Sequence, residues 1–282
     1  MAWARFGYIC RKMSVESMDS ETILECLSRV QNEKSCDLYG RKIAANSWPR
    51  KILDKLGSIQ DKKEAKEVIN IYKDLSLSKQ FEEPMRFKRV IAYLSYVSFV
   101  FYIVVAVYQL MVAPSFIEAF ENFELPVPNH LLFYQDYWGY FVLVVSIFLL
   151  SALLIGFQIK KLFSFKMEIE NSFIIKYLVF KKIRESYLKV LDILEFPIIY
   201  SEKVKNKKTN LIASHLQTVK DTNMCIAKEM QELIEIEMQS LLESCEKQMK
   251  VVSITVALII VVAIFFFLVS AYSPIFILGE TV

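Results

Sequence analysis

Apolar and polar positions along this chain separate into long blocks before they separate into faces. Val90–Val112, Tyr140–Phe157 and Val251–Tyr272 contain no charged side chain. Each is about as long as a bilayer-crossing helix needs, roughly 17–25 residues. Rich in Val, Ile and Phe, these runs leave too little polar surface to be the buried helices of a soluble core. Elsewhere the pattern is helical. Ser20 and Glu21 ahead of Ile23, Leu24 and Leu27 predict a capped helix running to about Val30. Ser47-Trp48-Pro49 predicts a turn into a helix with Ile52, Leu53 and Leu56, ended by Gly57. Ala65, Val68, Ile69, Tyr72 and Leu75 mark the inner face of a helix over Lys62–Leu77, and Pro84 punctuates the approach to the first apolar run.

After the second run, Phe173–Leu194 predicts an apolar helix studded with Lys and Arg and broken by Phe196-Pro197. Lys203–Lys208 is a basic, solvated turn. Asn210–Cys245 returns to helix, with Ile226, Met230, Leu233, Ile234, Met238, Leu241 and Leu242 on one face. Glu229, Glu232, Glu235, Glu237 and Glu243 lie opposite, as a solvated stripe usually does.

Between the first two runs lies Val112–Pro128, VAPSFIEAFENFELPVP, which has no Lys or Arg. Pro114 can open a helix, because a proline there gives up only a donor that would be unpaired anyway. Phe116, Phe120 and Phe123 then recur at helical spacing, with Glu118, Glu121 and Glu124 opposite. Leu125, Pro126, Val127 and Pro128 force an extended exit. The expectation is a short acidic amphipathic helix at a membrane surface.

Composition sharpens this picture. The chain is 54% hydrophobic yet 23% charged, with a mean hydropathy of +0.34; only segregation along the chain reconciles these values. Residues 1–89 carry 18 Lys+Arg against 13 Asp+Glu, and residues 160–250 carry 16 against 13. Residues 113–139 and 273–282 carry no Lys or Arg, and five acids. Basic residues crowd the ends of the runs: Arg86, Lys88 and Arg89; Lys160 and Lys161; Lys247 and Lys250. By the positive-inside rule the N-terminus and 160–250 are cytoplasmic, while 113–139 and the C-terminus are outside. Tyr134, Tyr137, Trp138, Tyr140 and Tyr272 suit an outer interfacial belt. The start, MAWARFGYICRKM, has no apolar region behind its basic residues, so it does not read as a cleavable signal, and Val90–Val112 serves as the internal insertion signal.

Chemistry is sparse. Cys10, Cys26, Cys36, Cys225 and Cys245 show no metal-ligand spacing and fall in the cytoplasmic parts, where reduced thiols are expected. There is no glycine-rich phosphate cradle and no nucleophile elbow. His130 and His215 fall on opposite sides of the membrane. The spans hold Ser95, Ser98, Gln109, Ser146, Ser151, Ser253 and Thr255, which suit helix–helix contact better than a translocation path. No catalytic residue, metal or cofactor is expected, and no nucleic acid. A charge split remains: 160–208 has 12 basic and 6 acidic residues, whereas 209–250 has 4 and 7. Such a bipolar surface could dock a charged partner, with Lys181, Lys182, Arg184, Lys203 and Lys205 as the candidate residues.

Two sequence motifs carry a resemblance. P-S-F-I-E-A-F-E-N-F-E-L-P-V-P, Pro114 to Pro128, resembles the outer-loop signature of the bacterial type II secretion F family. Its members are inner-membrane platform proteins of type II secretion systems and type IV pili. Y-S-P-I-F-I-L-G, Tyr272 to Gly279, is similar to that family's closing motif, and it echoes the V-A-P-S-F-I that ends the first run, as if two halves were related. Leu191-Asp192-Ile193-Leu194 leading to Pro197-Ile198 is similar to the family's helix-turn signature, with Glu195 and Phe196 where a glycine usually stands.

The resemblance implies an all-α membrane protein with three transmembrane helices and two cytoplasmic helical-bundle lobes, shortened relative to the family. Residues 1–89 and 158–250 would be the cytoplasmic domains. The spans would be 90–112, 140–157 and 251–272, with 113–139 and 273–282 periplasmic. Motif residues by this reading are Pro114, Phe116, Phe120, Leu125, Pro126, Pro128, Tyr272, Pro274, Phe276 and Gly279. The implied role is a scaffold coupling a cytoplasmic hexameric assembly ATPase to pilin or pseudopilin subunits, alongside inner-membrane alignment proteins, as a homo-dimer or trimer. A small transporter or channel subunit is the alternative, disfavoured by uncharged spans. A membrane sensor would need an output domain that the sequence does not offer.

Overall fold

The computed structural model describes residues 2–16, 21–40, 42–81, 85–127, 129–167, 169, 172–201 and 211–281. In chain order its helices are α1 (Ala2–Val15), α2 (Ile23–Asn32), α3 (Trp48–Gly57), α4 (Lys62–Lys73), α5 (Leu77–Gln80), α6 (Met85–Val107), α7 (Ala113–Asn122), α8 (Asn129–Leu162), α9 (Phe173–Tyr177), α10 (Lys181–Ser201), α11 (Leu211–Asp221) and α12 (Ile226–Thr281). A 3-10 turn covers Lys34–Tyr39, and a π-helical turn covers Tyr108–Val112. Among the described residues there is no strand, only an isolated antiparallel bridge between Ser47 and Lys166. The chain is an all-α membrane protein: α6–α7, α8 and α12 contain the three stretches long and apolar enough to cross a bilayer.

The chain forms two compact units. A polar unit comprises Met1–Pro84 and Gln158–Glu246, and a spanning unit comprises Met85–Phe157 and Lys247–Val282. The two polar segments, read separately in the sequence, thus share one core. Trp3 and Phe6 come from α1, and Phe81 follows α5. Phe165 and Tyr187 come from beyond the second span. Ring centroids lie 4.4 Å apart for Phe81–Phe165, 4.9 Å for Trp3–Phe81 and 5.6 Å for Phe165–Tyr187. The main chain joins the segments too: Trp48 N–H donates to Phe165 O at 2.9 Å, and Met167 N–H donates to Asn46 O at 2.8 Å. Phe165 has φ 46°, a left-handed conformation that a bulky residue adopts only when its surroundings force it. Its ring is fully buried, so the packing holds the strain in place.

Local chemistry explains the boundaries. α1 was not foreseen from the basic, aromatic N-terminus. Trp3, Phe6, Ile9, Cys10 and Met13 form its inner face. Arg5 is buried beside them because its guanidinium has acceptors on Asp37 (3.1 Å), Gly40 O (3.1 Å) and Gln31 O (3.0 Å). The cap of α2 is Thr22, not Ser20, which lies outside the described residues. Thr22 Oγ1 accepts from Glu25 N–H, and the Glu25 carboxylate accepts from Thr22 N–H, a reciprocal capping box. α3 starts where Ser47-Trp48-Pro49 predicted. α4 ends at Lys73, short of Leu77, after an Asp61 cap.

Two expected breaks move. The apolar helix expected over Phe173–Leu194 is interrupted between Tyr177 and Lys181, and α10 then runs through Pro197 to Ser201. An internal proline costs a helix about 3 kcal/mol. Here fully buried Ile193, Leu194 and Ile198 flank it, each contributing roughly 1.5–3 kcal/mol on burial. Tyr72 O–H also donates to Leu194 O at 2.6 Å, supporting the main chain beside the proline. Burial wins. The helix expected over Asn210–Cys245 is instead divided into α11 and α12. Asn223, at φ 56°, sits at the turn; its N–H donates to Lys220 O, and Met224 N–H donates to Val219 O, both at 3.1 Å. That pair of bonds is a Schellman cap, and asparagine tolerates its left-handed position. The Lys203–Lys208 turn and Pro84 lie outside the described residues.

Candidate functional site

The first candidate is the exit of the first span. α6 does not stop at the membrane end; it passes into the π turn, where Ala113 N–H donates to Tyr108 O, and on into α7. Pro114 is the second residue of α7 and is exposed. Because a proline lacks a donor and crowds the carbonyl four residues before it, widening the preceding turn is a physical way to carry the helix past it. Phe116 is half-buried, Phe120 is fully buried, and Glu118 and Glu121 are exposed. The helix foreseen from Pro114 is present as a continuation of the span, but it ends at Asn122, and Phe123, expected on the apolar face, lies past its end and is exposed.

A specific turn closes α7. Leu125 N–H donates to Phe120 O at 2.9 Å and Glu124 N–H donates to Glu121 O at 3.1 Å, with Glu124 at φ 52°. This is again a Schellman cap, here with glutamate where glycine is usual, and Phe120 and Leu125 hold the positions that commonly touch across it. Leu125 is half-buried and Pro126 exposed. Pro128 lies outside the described residues, and α8 begins at Asn129.

The second motif has a different setting. Residues 272–279 do not leave the membrane helix; α12 continues through them to Thr281. Tyr272 and Phe276 are exposed. Gly279 is in open space, where a Cβ would meet nothing within 4 Å. The side chain of Pro274 lies outside the described residues. The structure joins Phe120 to Leu125, and it leaves Tyr272 and Phe276 on an open helix surface.

Contacts among the spanning helices involve Ser146, one of the polar span residues expected there, together with Gly156, Tyr108 and Ser270, which the sequence reading passed over. A Cβ on Gly156 of α8 would stand 3.0 Å from Ile91 Cγ1 of α6 and 3.4 Å from Met249 Cε of α12, so glycine is what lets three helices approach there. Tyr108 O–H bonds to Ser270 Oγ at 2.5 Å in a buried position, and the Tyr108 ring stacks on Phe267. Tyr102 O–H reaches Ser146 Oγ at 2.7 Å. Gln109 Oε1 is buried with no partner among the described residues. A lone glycine within an apolar run was the available signal for Gly156. Ser270 could have joined the other span hydroxyls.

The polar unit supplies the second candidate surface. Lys181 and Lys182 are exposed, Lys181 pairing with exposed Glu185 at 3.4 Å; Arg184 is half-buried. Lys203 and Lys205 lie outside the described residues. Among the described residues the most buried carboxylate is Glu195, whose Oε1 meets Lys51 Nζ at 2.7 Å and Lys55 Nζ at 3.3 Å. Burial alone would raise its carboxyl pKa. The hydrogen bond and charge of Lys51, joined by Lys55, outweigh burial and hold it below the usual glutamate value. Lys51 also lies 3.8 Å above the Trp48 ring, so this cluster ties α3 to α10. The five thiols are free, and burial pushes Cys10 up to about 12 despite neighbouring Arg11, an inert environment. His215 Nε2 and Glu229 Oε1 form an exposed pair at 2.8 Å. No cluster of His, Cys, Asp or Glu able to hold a metal occurs among the described residues.

Comparison of the chain with family models, with curated proteins and with solved structures gives no match.

Proposed function

We propose that this chain is the inner-membrane platform of a fibre-assembly machine of the type IV pilus or type II secretion class. The polar unit faces the cytoplasm, where a hexameric assembly ATPase engages it. The spanning unit guides pilin or pseudopilin subunits as they leave the membrane, with inner-membrane alignment proteins and further copies of the chain beside it. The observation that carries this reading is the motif Pro114–Pro128 at the end of a first span. It is supported by the three spanning stretches and by a charge asymmetry that puts the basic clusters on one side. The absence of charged side chains in the spans suits a scaffold better than an ion carrier.

Deleting the gene tests the role. Fibres or secretion are expected to be lost while the fibre subunit is still synthesised and processed; normal fibres in the deletion strain would sink the proposal.

A further inference from the structure

In the polar unit, aromatic side chains are mostly core. Trp3, Phe6, Tyr72, Phe81, Phe165 and Tyr187 are all buried. The stretch Phe173–Arg184, FIIKYLVFKKIR, departs from that rule. Phe173 is 71% exposed and Tyr177 63%, four residues apart on α9 with ring centroids at 4.7 Å. Leu178 and Phe180 are exposed beyond them. Mixed with these apolar groups are cations: Lys176, whose Nζ lies 5.4 Å from the Tyr177 centroid, and exposed Lys181 and Lys182. No acidic residue occurs from Asn171 to Arg184; Glu185 follows at once and pairs with Lys181 at 3.4 Å, both side chains exposed, which leaves Lys176 and Lys182 as the cations with no acid beside them in sequence.

Exposed aromatic rings among lysines, with no acid between them, are what the interface of an anionic bilayer accepts. The rings enter the headgroup boundary and the ammonium groups meet lipid phosphates. The chain brings such a surface within reach. α8, which contains the second spanning stretch, ends at Lys160, Lys161 and Leu162, and Phe173 follows eleven residues later, a reach of at most about 40 Å.

We propose that Phe173–Arg184 is an interfacial anchor that seats on the anionic lipid surface, rather than a docking site for a protein. This uses only the membrane-spanning character of the chain, so it is independent of the platform reading. Lys181 and Lys182, candidates in the sequence for docking a charged partner, are thereby assigned to lipid.

The test uses the full chain in nanodiscs containing equal parts of phosphatidylcholine and phosphatidylglycerol. In a Cys225→Ser background, an environment-sensitive fluorophore is attached after Tyr177→Cys, or after Lys63→Cys at an exposed control position on α4. The probe at position 177 should be blue-shifted and quenched several-fold more by brominated lipid than the probe at position 63. That difference should shrink in phosphatidylcholine alone and after Lys176→Glu, Lys181→Glu and Lys182→Glu are combined. Equal quenching at the two positions in anionic discs would overturn the proposal and return the patch to a protein partner. Because Tyr177→Cys removes one of the proposed anchoring rings, amide exchange of the unaltered protein provides the second measurement. Stronger protection of 173–184 in anionic than in neutral discs supports the anchor, and identical protection overturns it.

Discussion

The two units of this protein are built from similar side chains put to opposite uses. In the polar unit, large apolar groups such as Phe6, Phe165 and Leu53 have no exposure at all, and the hydrophobic effect assembles them. In the three spanning stretches only 22%, 28% and 17% of the most apolar window is buried, because phenylalanines and valines such as Phe99, Val144, Phe148, Val261 and Phe265 are exposed on the helix surfaces. Lipid is as apolar as the side chains, so sequestering apolar surface gains little there. What holds the spanning helices is narrower: a glycine that admits close approach, stacked rings, and hydroxyl pairs such as Tyr108–Ser270. One unit is stabilised by how much it hides, the other by how closely a few points fit.

Single-tryptophan variants separate the units, since Trp3 and Trp48 report on the polar unit and Trp138 on the spanning unit. The largest effect is expected from Phe165→Ala. It removes a fully buried ring shared by both polar segments, with a loss of about 3–5 kcal/mol. Denaturation followed at Trp3 should shift strongly, and denaturation followed at Trp138 far less. Gly156→Leu reverses the pattern: overpacking against Ile91 and Met249 is expected to cost about 1–3 kcal/mol, read at Trp138. An equal response of both reporters to either variant would break the contrast.

The mildest probe is pH. The Glu195 pKa is lower in the folded unit than in an unfolded chain, where no lysine is held against it. Its contribution is therefore fully present above the ordinary glutamate value and is lost as pH falls through the folded pKa. Acid titration should weaken the Trp3 signal's unfolding midpoint in that window, and Glu195→Gln should remove that part of the dependence. Because burial opposes the two lysines, the effect should be shallower than either substitution. The spans carry no charged side chain, so the Trp138 midpoint should move less.

Legibility in the sequence follows the same division. Spanning stretches were plain, since length and absence of charge need no tertiary information. α3 and most of α4 were readable from their apolar faces and punctuation. Pro197 misled because propensity speaks for the isolated helix, whereas buried Ile193, Leu194 and Ile198 decide the folded one. Asn223 was missed because a left-handed cap by asparagine is less conspicuous than one by glycine. At the span exit the helix and its acidic face were visible. The cap at Glu124 was not, since its bonds link main-chain atoms and leave no side-chain signature. Gly156 and the pairing of Tyr108 with Ser270 depend on which helices meet, which no local pattern specifies.

The π turn at Tyr108–Val112 has a rotational meaning as well. Each residue of a regular helix advances the azimuth by about 100°, and a π turn accommodates one residue more than the α-helix would. Everything after it is set one angular step away from the face that α6 would otherwise have continued. The buried setting of Phe120 and the outward setting of Glu118 and Glu121 are fixed by that offset. The span and the motif helix thus form one continuous helical run whose two parts keep independent orientations.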